Sequence, residues 1–233
     1  MRLDKFLCET TDLTRSLAKK AMHREEVSVD GEVVKNPATQ VDAQSRVQWL
    51  GQSLELVGLR YVMFHKPSGV ECTAKRGLYP LVTDLIGLPK VERLKVVGRL
   101  DVDTTGLVLL SDDGQWSHRI TSPRRHCAKV YRVQLAEALT GAAAERAVVA
   151  FGEGILLDGE DKPTRPAELV LTSPREARLT LHEGKYHQVK RMFAAIGNHV
   201  ETLHRESIGD IALDPTLAPG EWRELSDEEI DAF

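Results

Sequence analysis

Five polar side chains and a glycine crowd the stretch VVGRLDVDTTGLVLLSDDG: Arg99, Asp101, Asp103, Thr104, Thr105 and Gly106, immediately before the apolar run LVLLS. A polar loop mounted on a rigid strand is a common place for a functional site. An aspartate there, with an ordinary pKa of about 3.9, is ionised at neutral pH and can serve as nucleophile or proton acceptor. By composition alone, Asp101 and Asp103 also suit the capping of a turn. The histidines offer a second chemistry, since His182 and His187 are five apart, as are His199 and His204. Neither pair sits in an H-E-x-x-H helix and no cysteine or carboxylate cluster completes a tetrahedral set, so no metal is expected. The glycines of HKPSGV and FGEG are isolated turn formers rather than a phosphate-binding loop.

These residues need elements to hold them. YVMFH, LVLLS, KVYRVQL, AELVLTS and ARLTLHE read as strands, and TGAAAERAVVAF and HQVKRMFAAIG as helices. The mixture predicts an α+β domain with a mainly antiparallel sheet flanked by helices. The helix from His187 to Ile196 should end at Gly197, and the last one should begin at Ser226, with Glu229 completing a capping box. Nearer the start, Leu13, Leu17, Ala18, Ala21 and Met22 recur at helical spacing, with Arg15, Lys19, Lys20 and His23 on the other half of the wheel and Thr14 as N-cap. The following VSVDGEVVKN reads as two short strands around an Asp-Gly turn. Residues 51–60, GQSLELVGLR, suit a linker, so the chain divides into a small domain, 1–58, and a larger one, 59–233.

Composition narrows the classes. With 42% hydrophobic and 28% charged residues among 233, the chain is an ordinary globular protein. A net charge of -4 means that any nucleic-acid surface must be a local patch. Cys8, Cys72 and Cys127 form no C-x-x-C pair, which fits a reducing cytoplasm. No apolar run approaches membrane-spanning length, and MRLDKFLCET lacks the apolar core of a secretory signal. A cytoplasmic monomer without membrane attachment is the expectation.

Four motifs in order carry a resemblance. GRLDVDTTGL is similar to the catalytic motif of the pseudouridine synthases, in the branch that modifies ribosomal RNA and bears an N-terminal S4 domain. HKPSGV, residues 65–70, resembles a second motif of that branch, with His65 where asparagine is more usual. KVYRVQL and EGKYHQVKRMF resemble two more, and RLDKFL, TRSLAKKAM and VSVDGEVV together resemble the S4 RNA-binding module over residues 1–50. DDGQWSHRITSPRRHC and HQVKRMFAAIGNHV further resemble members that act on the small ribosomal subunit.

The resemblance implies that Asp101 is the catalytic aspartate, as nucleophile or as base, with Tyr131 stacking the uracil and Lys190 as the cation that keeps the carboxylate ionised. Arg191, about 100° further around the helix, would face RNA phosphate. Arg99 would hold the displaced backbone, and Arg15, Lys19 and Lys20 would form the RNA face of the S4 helix. No cofactor is implied, because isomerising uridine involves neither a redox step nor a metal. The expected partner is 16S ribosomal RNA, at uridine 516 in the usual rRNA numbering, within a partly assembled small subunit. Two other readings share these features: an S4-type assembly factor without catalysis, and a synthase acting on the large subunit.

Overall fold

The computed structural model describes residues 1–56 and 58–233. Val57, within the stretch read as a linker, lies outside the described residues. Two compact units emerge, Met1–Leu59 and Arg60–Phe233.

The first unit opens with helix α1, Leu3–Thr10, which buries Leu3, Phe6 and Leu7 at helical spacing. Helix α2, Arg15–His23, begins at Thr14, whose hydroxyl accepts from the Leu17 amide at 3.3 Å, and buries Ala18, Ala21 and Met22. Leu17 departs from expectation: it is 44% exposed, because it lies at the edge of the stripe that these three smaller residues define. Strands β1, Val27–Val29, and β2, Glu32–Val33, are joined through Asp30 and Gly31 at φ 54° and 92°, the pair of positive values that a tight hairpin demands. Strand β3, Val47–Trp49, pairs with β1 and with β4, Gln52–Leu54. The expected linker is therefore partly strand: Gln52 to Leu54 find backbone partners in β3, although Gln52 and Ser53 are polar, and Leu54 packs against the unit's core.

The second unit is built on one nine-stranded sheet. Its strands are β5 Tyr61–Lys66, β6 Lys95–Val97, β7 Thr105–Ser111, β8 Lys129–Leu135, β9 Glu168–Ser173, β10 Glu176–Leu181, β11 Val200–Ile208, β12 Ile211–Ala212 and β13 Trp222–Glu224. The order is β13-β5-β7-β11-β8-β10-β9, with β6 on β7 and β12 on β11. Every pairing is antiparallel except β7 with β11, which sets Thr105 opposite His204 and Gly106 opposite Arg205. Helices α3 Gly114–Thr121, α4 Gly141–Glu153, α5 Gln188–Ala195 and α6 Asp227–Asp231 complete it, the last entered through the Ser226–Glu229 capping box.

The run LVLL is apolar without alternation because β7 is buried on both faces. Val108 and Leu110 join the core with Val62, Phe64, Val133 and Phe193, while Leu107 and Leu109 pack with Trp116, Ile120 and Ile208 on the other side. A strand clamped in this way is a rigid mount for the loop before it. Among the described residues, no helix is long and apolar enough to cross a membrane.

Candidate active site

The loop from Gly98 to Thr104 is held at both ends by buried cations. At the end of β5, the Lys66 ammonium is wholly buried and donates to the carbonyl oxygens of Thr104 at 2.7 Å, Pro67 at 3.1 Å and Val102 at 3.2 Å. Burial pulls its pKa below the ordinary lysine value, against the attraction of the Asp103 and Asp101 carboxylates. From β11, Arg205 donates Nε to Leu107 O at 2.8 Å, Nη2 to Gly98 O at 2.8 Å and Nη1 to Arg99 O at 3.4 Å. Both charges are thus compensated by backbone dipoles. Gly106 makes the arrangement possible. At φ 108°, a Cβ there would lie 2.6 Å from the Arg205 amide nitrogen, so only glycine lets β7 and β11 meet.

On this frame Asp101 and Asp103 face the first turns of α5. Lys190 Nζ lies 3.3 Å from Asp101 Oδ2, and 2.6 Å and 2.9 Å from the two Asp103 oxygens. The shorter contact is with Asp103, so the lysine bridges two carboxylates rather than serving Asp101 alone. Desolvation works against both charged forms, yet the Lys190 hydrogen bond and charge leave Asp103 below the usual carboxylate value. Asp103 and Asp101 in turn hold Lys190 above the usual lysine value. On the other side, His187 Nε2 stands 3.4 Å from Asp101 Oδ1. Asp101 is 30% exposed and remains open to the cleft.

That cleft has a volume of about 720 Å³, enough for a nucleotide, and Asp101, Arg99, Tyr131, Lys190, His187 and Arg205 contribute to its walls. Tyr131, on β8, is largely buried in the core and shows its remaining surface to the cleft; Arg99 is exposed at the rim. Lys129, two residues before Tyr131 and on the same face of β8, also lines it, its pKa lowered by burial.

Not every expected residue stands ready for RNA. Arg191 does turn away from Asp101, but its guanidinium is committed internally, to Glu160 Oε1 at 3.1 Å, Tyr186 O at 3.1 Å and Asp158 O at 2.6 Å. Its position fits holding the loops around α5 rather than meeting phosphate. Arg15, Lys19 and Lys20 are exposed on α2 of the first unit. Of the histidine pairs, His187 faces Asp101, His204 Nδ1 is 2.9 Å from Thr105 Oγ1 and His182 Nδ1 is 3.0 Å from the His126 carbonyl. Among the described residues, no group of three His, Cys, Asp or Glu side chains could hold a metal ion.

Four contributors escaped the sequence reading. Lys66 sits in HKPSGV, where its burial has no local signal, and Arg205 lies in a strand whose other residues read as ordinary. Asp103 was visible as a loop acid but not as the main partner of Lys190. In the sequence His187 stands out only by its five-residue spacing from His182, which suggests a metal ligand and not a neighbour of Asp101.

Residues 60–195 match the RNA pseudouridylate synthase family, and residues 1–47 match the S4 domain. The ribosomal small subunit pseudouridine synthase A of Vibrio parahaemolyticus is 51% identical over 100% of this chain and 99% of its own length. The protein of that name from Escherichia coli K12 is 48% identical over 99% of this chain and 98% of its own. A crystal structure of a pseudouridylate synthase superposes with a TM-score of 0.71 at 46% identity, covering 100% of this chain and 99% of that one.

Proposed function

The chain belongs to the RNA pseudouridylate synthase family and is an isomerase acting on RNA, and from that premise we propose that it converts one uridine of 16S ribosomal RNA to pseudouridine, with Asp101 as the reacting carboxylate. The observation that carries the choice of substrate is the end-to-end similarity to small-subunit synthases. The cleft supports the chemistry. The target is uridine 516, and the substrate is a partly assembled small subunit in the cytoplasm, met by the enzyme as a monomer.

The reaction breaks the bond from uracil N1 to ribose C1′, turns the detached base in place and joins its C5 to C1′. The proton lost from C5 is balanced by one gained at N1, so no atom or electron enters or leaves. C1′ and C5 are obstructed in a stacked helix, and the uridine must swing out at a cost of roughly a few kcal/mol unless it already lies in a loop. The cleft of about 720 Å³ would receive it. Tyr131 offers a flat face and a hydroxyl to a base that has to be held while it turns. Asp101 attacks C1′ or removes a sugar proton, with the Lys190 ammonium 3.3 Å from its carboxylate. Lys66 and Arg205 contribute by fixing the loop on which Asp101 sits, where misplacement by about 1 Å can cost on the order of 100-fold in rate. At the rim, the exposed Arg99 would meet the displaced backbone, and Arg15, Lys19 and Lys20 would add phosphate contacts from the S4 unit.

The test is pseudouridine mapping of unmodified 16S ribosomal RNA, free and carrying ribosomal proteins, after incubation with the wild-type chain. One new pseudouridine, at uridine 516, is expected. Modification of large-subunit RNA instead would overturn the substrate assignment, and RNA binding without modification of either would overturn the catalytic one.

A further inference from the structure

Beside Asp101 stands an aromatic pair that the chemistry just described leaves unused. Tyr186 and His187 stack with ring centroids 3.8 Å apart and planes 19° from parallel. The inner ring, His187, is the one whose Nε2 lies 3.4 Å from Asp101. The outer ring, Tyr186, is 77% exposed, the largest exposure of any aromatic among the described residues with an exposed apolar side chain. Both line the same cleft as Tyr131. A tyrosine with one face covered by an imidazole and the other open to solvent is an unfilled place in a stack.

The segment that presents it is fixed rather than loose. Gln188, almost fully buried, accepts from the Lys185 amide at 2.8 Å and donates to Glu183 Oε1 at 2.8 Å. Glu183 Oε1 also accepts from the Arg165 amide at 2.8 Å, and the Tyr186 carbonyl accepts from Arg191 at 3.1 Å. Lys185 and Arg191 converge on Glu160 at 2.6 Å and 3.1 Å. His187 itself is held left-handed at φ 47°, a conformation unfavourable for a non-glycine residue that persists where the surroundings enforce it. A pre-ordered aromatic loses little freedom on meeting a flat partner.

We infer that Tyr186, backed by His187, is a stacking platform for the nucleobase next to the target uridine, taking the place in the stack that the uridine leaves when it enters the cleft. The inference rests on the functional reading above and adds the recognition of a second nucleotide. Proteins hold unpaired bases by aromatic stacking of this kind, and it tolerates any base because every base has a π-face. His187 links the two events, touching the platform on one side and Asp101 on the other.

The experiment uses the full-length chain carrying Asp101→Asn, so that no turnover occurs, and a 16S ribosomal RNA fragment, free or carrying ribosomal proteins. The fragment has 2-aminopurine at the 5′ or the 3′ neighbour of the target uridine. The probe is dim when stacked and brightens when its neighbour leaves. Emission should stay low at one of the two positions, brighten when Tyr186→Ala is added, and stay low with Tyr186→Phe, which keeps the ring. Binding should weaken about 5- to 150-fold with alanine, the range to which base–aromatic stacking of roughly 1–3 kcal/mol corresponds. In the chain with Asp101 intact, Tyr186→Ala should raise KM more than it lowers kcat. Brightening at both neighbours with Tyr186 present, or emission and affinity indifferent to alanine, overturns the platform. Failure of the chain with Asp101 intact to form pseudouridine would refute the functional reading, while the emission still decides the stacking.

Discussion

Arg205→Met tests whether the loop that carries Asp101 is positioned by a buried cation on the neighbouring parallel strand. The guanidinium is 1% exposed and spans three carbonyl oxygens, those of Leu107, Gly98 and Arg99. Methionine fills similar volume but donates nothing. The Leu107 carbonyl belongs to a fully buried residue and loses its charged donor, a loss of about 1–3 kcal/mol for a buried group. Gly98 and Arg99 form part of the cleft wall and can turn to water, so their loss is smaller. Relief of burying a charge offsets some of this. With the smaller losses and the offset roughly cancelling, the net destabilisation is about 1–3 kcal/mol, which for a unit of this size lowers Tm by roughly 2–12 °C. The functional loss should exceed what stability explains. Freed at Gly98 and Arg99, the loop carrying Asp101 is mis-set, and kcat should fall about 100-fold with KM changed little. Arg205→Lys should recover little, since an ammonium cannot bridge the same three acceptors. The assays are thermal melting and single-turnover pseudouridine formation at a temperature where each variant is folded. A variant melting within a degree of wild type with kcat intact would refute the argument.

Other perturbations separate the remaining roles. Lys190→Met should lower kcat at least tenfold, whereas Asp103→Asn should cost less than about fivefold, because Asp103 is 62% exposed and such pairs contribute about 0.2–1 kcal/mol; single-turnover rates decide the order. Neutralising Arg15 and Lys19 together should weaken RNA binding and flatten the dependence of log affinity on log salt by about 1.4–1.8, read by titration at several salt concentrations. Asp214, which accepts hydrogen bonds from Thr216 and Arg223, is held at about 2 against an ordinary 3.8. Its folded value is depressed, so its stabilisation is present above about pH 3.8 and disappears as pH falls through 2. Melting curves of Asp214→Asn should therefore lie below wild type at pH 6 and converge with it near pH 2.

The elements that announce themselves locally were legible. LVLLS is apolar on both faces because β7 is buried on both, Asp30-Gly31 supplies the two positive φ values of a hairpin, and Ser226 with Glu229 caps the last helix. Local signals failed where backbone pairing outweighs side-chain pattern, as in Gln52–Leu54, read as linker but paired with Val47–Trp49. They failed also where a side chain's partners are distant in sequence. Arg205 acts on Gly98 and Leu107, and Lys66 on Val102 and Thr104, contacts about a hundred and nearly forty positions away that no periodicity encodes. Family resemblance puts Lys190 near Asp101, but its tighter bond to Asp103 depends on the turn of the loop. The reach of Arg191 to Asp158 and Glu160 has the same origin, a surface loop brought beneath α5 by the tertiary fold.

The central claim is that Asp101 performs the chemistry and is not simply part of the RNA-binding wall. Asp101→Asn keeps the shape of the side chain and removes the reacting carboxylate, so turnover and affinity should part company. The measurement is pseudouridine formation in 16S ribosomal RNA at saturating enzyme, alongside the Kd for the same RNA. The account predicts no detectable product with Kd within a few-fold of wild type. Product formed by Asp101→Asn at a rate near that of wild type would contradict it.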